Sequence, residues 1–189
     1  MTETPNPNIV DTDSLTGEMH PIRRVVVALG SNLGERRAAL QGAVDALADT
    51  PDFYVTGVSP VYETEPVDSP EGSGPYLNAV LLADTTLPAA RLMERALAVE
   101  DAFERERSEV RNAPRTLDVD LIVVGDRRSN EDFLRLPHPR AHERAFVLQP
   151  WHDLEPDAVF PDHGPIADLL GAADSSGVRK RDDISLEVE

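Results

Sequence analysis

The chain has 189 residues, 35 of them acidic against 18 basic, a formal net charge of −17 and no cysteine. This length suits one domain with a real core, and the missing thiols exclude a disulfide scaffold, a thiolate metal site and a cysteine nucleophile. The charge opposes sequence-independent binding to nucleic acid or to an anionic membrane, which depends on Lys and Arg neutralising phosphates, yet it leaves room for a small phosphorylated ligand held by a local cationic cluster.

Residues 1–20 are polar and acidic, with Pro5 and Pro7 and no apolar periodicity. They are expected to form a disordered tail, and they lack the basic and apolar regions of a signal peptide. A single domain is expected over residues 21–171. The apolar run Arg24–Leu29, closed by Gly30-Ser31-Asn32, predicts a buried strand. Ser31 or Asn32 is expected to cap a following helix that carries Leu33, Leu40, Val44, Leu47 and Ala48 and stops at Thr50-Pro51. Phe53–Tyr62 alternates and predicts one strand. Glu65–Pro75, with Pro66, Pro70, Gly72 and Gly74, is a loop long enough to be functional.

Tyr76–Thr86 predicts another strand, with Leu77, Ala79, Leu81 and Ala83 on one face. Pro88 opens a helix whose apolar stripe is Leu92, Ala96, Val99 and Phe103. An Arg-rich connection, Arg105–Arg115, leads to the strand Leu117–Val124. The order strand, helix, strand, strand, helix, strand predicts an α+β fold with a ferredoxin-like βαββαβ core, an antiparallel sheet with helices packed on its faces. Shorter helices within Pro137–Leu148 and Pro165–Leu170 are expected to cover the second face. Residues 172–189, with Asp174-Ser175-Ser176-Gly177 and the charged run Arg179–Asp183, offer no apolar face and are expected to be a disordered tail. No run approaches the roughly 20 apolar residues of a membrane span, so a cytoplasmic protein is expected.

Chemistry concentrates around the last strand. Residues i and i+2 of a strand share a face, so Asp118 and Asp120 project together from the start of an otherwise apolar segment. Two carboxylates held side by side call for a positive partner, and Mg²⁺ takes hard oxygen ligands of this kind together with substrate phosphates. Arg105, Arg107, Arg111 and Arg115 fall within eleven residues just upstream, and guanidinium forks match phosphate oxygens. Carboxylates for a metal beside arginines for phosphate are the equipment of phosphoryl transfer. The plainer alternative is a solvated strand end and loop neutralised by Glu104, Glu106 and Glu109. His138, between two prolines, and Arg144 could extend a phosphate surface, or His138 could be a satisfied loop residue. Tyr76 and Asn78 share a strand face near Thr64, which suits a flat heteroaromatic ligand, although a Tyr at a strand start also serves as core.

These pieces resemble the hydroxymethyldihydropterin pyrophosphokinase family of folate biosynthesis. The resemblance rests on Ala28-Leu29-Gly30-Ser31-Asn32-Leu33-Gly34, Tyr76-Leu77-Asn78-Ala79, Pro114-Arg115-Thr116-Leu117-Asp118-Val119-Asp120-Leu121, and Pro137-His138-Pro139-Arg140 followed by Arg144, Phe146-Val147-Leu148 and Pro150. It implies transfer of pyrophosphate from ATP to the hydroxymethyl group of 6-hydroxymethyl-7,8-dihydropterin, giving AMP, with two Mg²⁺ ions held by Asp118 and Asp120. It further implies that Glu100, Arg115, Leu121, His138 and Arg144 bind ATP, and that Arg105 and Arg107 act from a catalytic loop. The pterin is expected between Tyr76 and Phe146, with Asn78, Thr64 and the backbone near Val67 at its edge. Asn112 stands where many members carry an aromatic residue, Glu65 replaces a common proline and Leu97 a polar residue.

The general base stays open between a metal-bound water and Asp118. A monomer acting on small molecules, with no nucleic-acid or membrane partner, is expected. Two rivals are an RNA-recognition module of the same strand order, which would need exposed aromatics on a basic sheet face, and a non-catalytic nucleotide or pterin binder. The second would be betrayed by loss of Asp118, Asp120 or the loop arginines, all of which are present.

Overall fold

The structure, a computed structural model, describes residues 21–65, 74–105 and 117–189, with the side chains of residues 104 and 105 also outside the description. The apolar run after Arg24 becomes β1 (Arg23–Ser31), followed by α1 (Arg36–Ala48), β2 (Phe53–Val58), β3 (Tyr62–Thr64), β4 (Tyr76–Thr85), α2 (Ala89–Arg105) and β5 (Asp118–Val124). A short hairpin, β6 (Ser129–Glu131) and β7 (Leu134–Leu136), then leads through a single 3-10 turn, Ala141–Glu143, to α3 (Ala145–Leu154). The chain closes with a second small hairpin, β8 (Val159–Phe160) and β9 (Gly164–Pro165), then α4 (Ile166–Ala172) and β10 (Val178–Lys180).

β1 lies between β4 and β5, and the main sheet runs β10-β3-β4-β1-β5, with β2 also on β4; these pairings are antiparallel. With β2 and β3 counted as one broken strand, this is the expected ferredoxin-like α+β arrangement. The alternation of β1 sorts the core. Val25, Val27 and Leu29 face α1 and α2, where they meet Leu40, Val44, Leu47, Leu92, Ala96 and Val99. Val26 faces the other way, toward Val147, Leu148, Trp151 and Ile166 of α3 and α4. Helices therefore cover both faces of the sheet, and the open sheet face that an RNA-recognition module needs is absent from the described residues.

Three expectations change. Phe53–Tyr62 is two strands, because Pro60 has no N–H to give the ladder. Ser59 bridges the break: its N–H donates to Val80 O at 2.9 Å, and its Oγ accepts from Val80 N at 2.8 Å. The first helix starts at Arg36 with Glu35 at its cap, not Ser31 or Asn32. Ser31 is the last, buried residue of β1, and Gly34, at φ 62°, turns the chain before the helix can begin.

The third change is the C-terminal segment, expected to be a disordered tail. It adds β10 to the sheet edge beside β3, and Ile184 and Leu186 pack onto the core on the α1 face. Its anchor is ionic. Glu63, 7% exposed, receives Arg36 at 3.2 Å, Arg181 at 2.7 Å and Arg179. The expected N-terminal tail, most of the loop 65–75 and the Arg-rich connection beyond Arg105 lie outside the described residues.

Candidate active site

Register places the chemistry-bearing residues in rows across one face of the sheet. Asp118 lies opposite Gly30, Gly30 opposite Asn78, and Asn78 opposite Tyr62. Asp120 lies opposite Ala28, and Ala28 opposite Val80; Tyr76 lies opposite Thr64, and Thr64 opposite Val178. All of these are on the α3 face. At about 4.8 Å per strand, Asp118 and Tyr62, in one row three strands apart, stand roughly 14 Å apart across the floor.

This floor and the first turn of α3 enclose a cavity of about 830 Å³, lined by Asp118 and Asp120 at one end, Thr64, Tyr76 and Asn78 at the other, and Arg144 and Phe146 above. Gly30 keeps the floor low. A Cβ there would stand 3.2 Å from Asn78 Oδ1 and 3.8 Å from the Tyr76 ring. Asn78 Nδ2 donates to Thr64 Oγ1 at 2.6 Å, which fixes the amide and turns its Oδ1 toward the glycine side. Burial, and then the Asp118 charge, push the Tyr76 hydroxyl above its ordinary value, so it stays neutral. Tyr62, behind Asn78, donates its hydroxyl to Asp153 and ties β3 to α3.

The roof is cationic. Arg144 forms the N-cap of α3 and accepts Val147 and Leu148 N–H groups at 3.0 Å, while its guanidinium lies 5.7 Å over the Phe146 ring. The positive end of the α3 dipole thus meets the cavity. His138 is hung from β5 by its own N–H, which donates to Ile122 O at 2.8 Å. Its Nδ1 accepts from the N–H groups of Arg140 and Ala141 at 3.1 and 3.2 Å, placing the ring proton on Nε2. Burial pulls the His138 pKa down; Asp120 opposes this, and Arg144 and Arg140 add to it, so the ring is a neutral donor at neutral pH.

Of the expected site residues, the cavity brings together Thr64, Tyr76, Asn78, Asp118, Asp120, Arg144 and Phe146. Glu100, Leu121 and His138 are not among the residues that line it. Leu121 sends its side chain into the core under α1 and α2. Glu100, buried on α2, accepts the Val119 N–H at 2.8 Å, on the outer side of edge strand β5 and between the two aspartates. Glu100→Ala strips that N–H of its acceptor and should lower stability by about 1–3 kcal/mol. Glu100→Gln should recover most of it in urea unfolding; equal losses would show that the contact does not hold the strand. Val67, Arg107 and Arg115 lie outside the described residues, as does the side chain of Arg105.

The sequence reading missed Arg140 and Glu143, which line the cavity from the segment that carries His138, and Asp174, Ser176, Gly177 and Val178, which wall its β3 end. The first two lay within a motif already singled out. The other four had no signal, since their placement depends on β10 joining the sheet.

Fold and cavity together define a ferredoxin-like α+β domain with a cavity on the sheet face beneath α3. A family model described as 7,8-dihydro-6-hydroxymethylpterin-pyrophosphokinase (HPPK) matches residues 26–156. The 2-amino-4-hydroxy-6-hydroxymethyldihydropteridine pyrophosphokinase of Pseudomonas aeruginosa is 38% identical over 159 residues, 84% of this chain and 97% of that one. Its counterpart in Mycobacterium tuberculosis is 40% identical over 172 residues, 82% of this chain and 88% of that one. Among solved structures, Plasmodium falciparum HPPK-DHPS, crystallised with pterin and p-hydroxybenzoate, superposes with a TM-score of 0.63 at 12% identity. That match covers 82% of this chain but only 44% of the Plasmodium one, and it bears on the fold alone. The chain belongs to the HPPK family and is an enzyme of the pyrophosphokinase type. Among the described residues, no helix is long and apolar enough to cross a membrane.

Proposed function

We propose that this enzyme transfers the pyrophosphoryl group of ATP to the hydroxymethyl group of 6-hydroxymethyl-7,8-dihydropterin in a Mg²⁺-dependent reaction, giving AMP and the pterin diphosphate, as a step of tetrahydrofolate biosynthesis. One observation carries the reading: a single cavity joins a carboxylate pair to an aromatic and amide cradle under a cationic roof. The hydroxymethyl oxygen bonds to the β-phosphorus and loses its proton, while the bond from that phosphorus to the α,β-bridging oxygen breaks and AMP departs.

The pterin stacks between Tyr76 and Phe146. Asn78 already spends one N–H on Thr64, so its Oδ1 accepts from the heterocycle's N–H edge. Arg144, the first-turn N–H groups of α3 and the Nε2–H of His138 hold phosphate oxygens. Arg115 is assigned to the same triphosphate, and Arg105 and Arg107 to the loop that completes the site. Leu121, whose side chain is committed to the core, can contribute only backbone, and Glu100 holds β5 in place.

The donor set fits magnesium. Asp118 and Asp120 offer hard oxygens from one strand face into a cavity large enough for a triphosphate, and no third carboxylate or histidine joins them among the described residues. Mg²⁺ keeps one or two carboxylates and takes its other ligands from water and phosphate, so two ions can share this pair. Bound there, magnesium would neutralise the triphosphate and raise the electrophilicity of the β-phosphorus.

Purified protein with ATP, Mg²⁺ and the pterin should release AMP in step with pterin consumed. Omitting the pterin, or adding excess EDTA, should reduce AMP to background. An absence of AMP with all components present would overturn the enzymatic reading in favour of a non-catalytic binder.

A further inference from the structure

The stretch matched by the family model ends at residue 156, yet part of the cavity wall lies beyond it. Asp174, Ser176, Gly177 and Val178 line the cavity from the C-terminal segment. The turn before β10 is built: Asp174 Oδ1 accepts Ser176 N at 3.0 Å and Ser176 Oγ at 2.7 Å, and Val178 N donates to Ser175 O at 3.1 Å. β10 is then locked to β3. Val178 stands opposite Thr64 in the ladder, Glu65 N donates to Gly177 O at 3.2 Å, and Arg181 N to Val61 O at 2.8 Å.

Alternation decides which way each side chain goes. Arg179, opposite Glu63, joins the ionic knot on the α1 side, and Val178, one residue earlier, lies on the cavity side beside Thr64. Arg36 belongs to both structures. It binds Glu63 at 3.2 Å and also Pro75 O at 2.8 Å, just before Tyr76.

The geometry points to the C-terminal strand as a specificity-determining wall of the acceptor pocket, with Val178 packed against the pyrimidine end of the pterin. This rests on the proposed reaction, which orients the substrate. Its hydroxymethyl group must face Asp118 and Asp120 on β5, so the opposite ring must lie toward β3 and β10, three and four strands away. There Thr64 and Asn78 supply polar contacts, and Val178 supplies an apolar boundary that limits what the ring can carry. The strand acts on the acceptor alone, because the cationic roof assigned to ATP stands on other elements.

The test compares kcat/KM for 6-hydroxymethyl-7,8-dihydropterin with that for its analogue methylated on the 2-amino nitrogen, using wild type, Val178→Ala and Val178→Trp. Val178→Ala should raise the analogue-to-parent ratio at least threefold. Val178→Trp should lower that ratio and raise the parent's KM at least tenfold, with the KM for ATP changed by less than twofold in both variants. Unchanged ratios, or equal shifts in both substrates' KM values, would overturn the inference. Should Val178→Trp fail to fold, the Val178→Ala ratio alone decides. The two readings separate cleanly: wild type that forms no AMP defeats the proposed reaction, whereas active wild type with ratios indifferent to Val178 defeats only the wall.

Discussion

Asp120→Ala is expected to cut turnover by about three to four orders of magnitude, or roughly 4–5.5 kcal/mol of transition-state stabilisation, while the protein stays folded. Asp120 is half-buried and lines the cavity opposite Ala28, so its removal costs little packing. It also relieves repulsion from Asp118 on the same strand face, so the melting temperature should hold or rise slightly. The pterin end of the cavity, roughly three strands away, should bind as before, and calorimetric titration with pterin alone should give an unchanged Kd.

The loss cannot be blamed on His138 becoming charged. The Asp120 carboxylate raises the proton affinity of that ring, so removing it drives the His138 pKa further down and leaves the neutral donor in place. An NMR titration should show the shift. Turnover within tenfold of wild type would end the assignment of Asp120 as a magnesium ligand.

The parts of this molecule that were legible in the sequence are those that depend on local period. Alternation along β4 put Leu77, Leu81 and Ala83 on one face, as the core does, and the same period of two put Asp118 with Asp120 and Tyr76 with Asn78, as the cavity does. The break between β2 and β3 was marked by Pro60, but the way the fold spans it was not legible. It turns on a serine hydroxyl standing in for a backbone carbonyl, which leaves no mark on hydrophobic spacing. Nor was β10. Its partners on Glu63 are 116 and 118 residues away in the chain, and an arginine that neutralises a distant buried carboxylate reads locally as one more solvated charge. The composition that suggested a tail hid a strand clasped by charge and followed by Ile184 and Leu186, which pack onto the core, and with it one wall of the pocket.

That charge cluster sets the second large effect. Glu63→Gln removes the anion shared by Arg36, Arg179 and Arg181 and leaves three guanidiniums converging on a neutral amide. Loss of one partner from a fully buried pair costs about 3–5 kcal/mol. Arg179 is largely exposed here and screened by water, so about 2–3 kcal/mol is expected. The pH dependence gives this cause its signature. Burial would raise the Glu63 carboxyl, but hydrogen bonding from Arg36 and the charges of Arg181, Arg36 and Arg179 outweigh it and hold the pKa below the ordinary 4.5. The folded protein therefore binds fewer protons at this site than the unfolded chain, and the contribution is complete above pH 4.5 and drains away as pH falls through the lowered value. Urea unfolding from pH 7 to pH 3 should thus show a gap between wild type and Glu63→Gln that is widest at neutral pH and narrows on acidification. A gap that stays constant would mean that packing, and not the ion cluster, clasps β10 to the sheet.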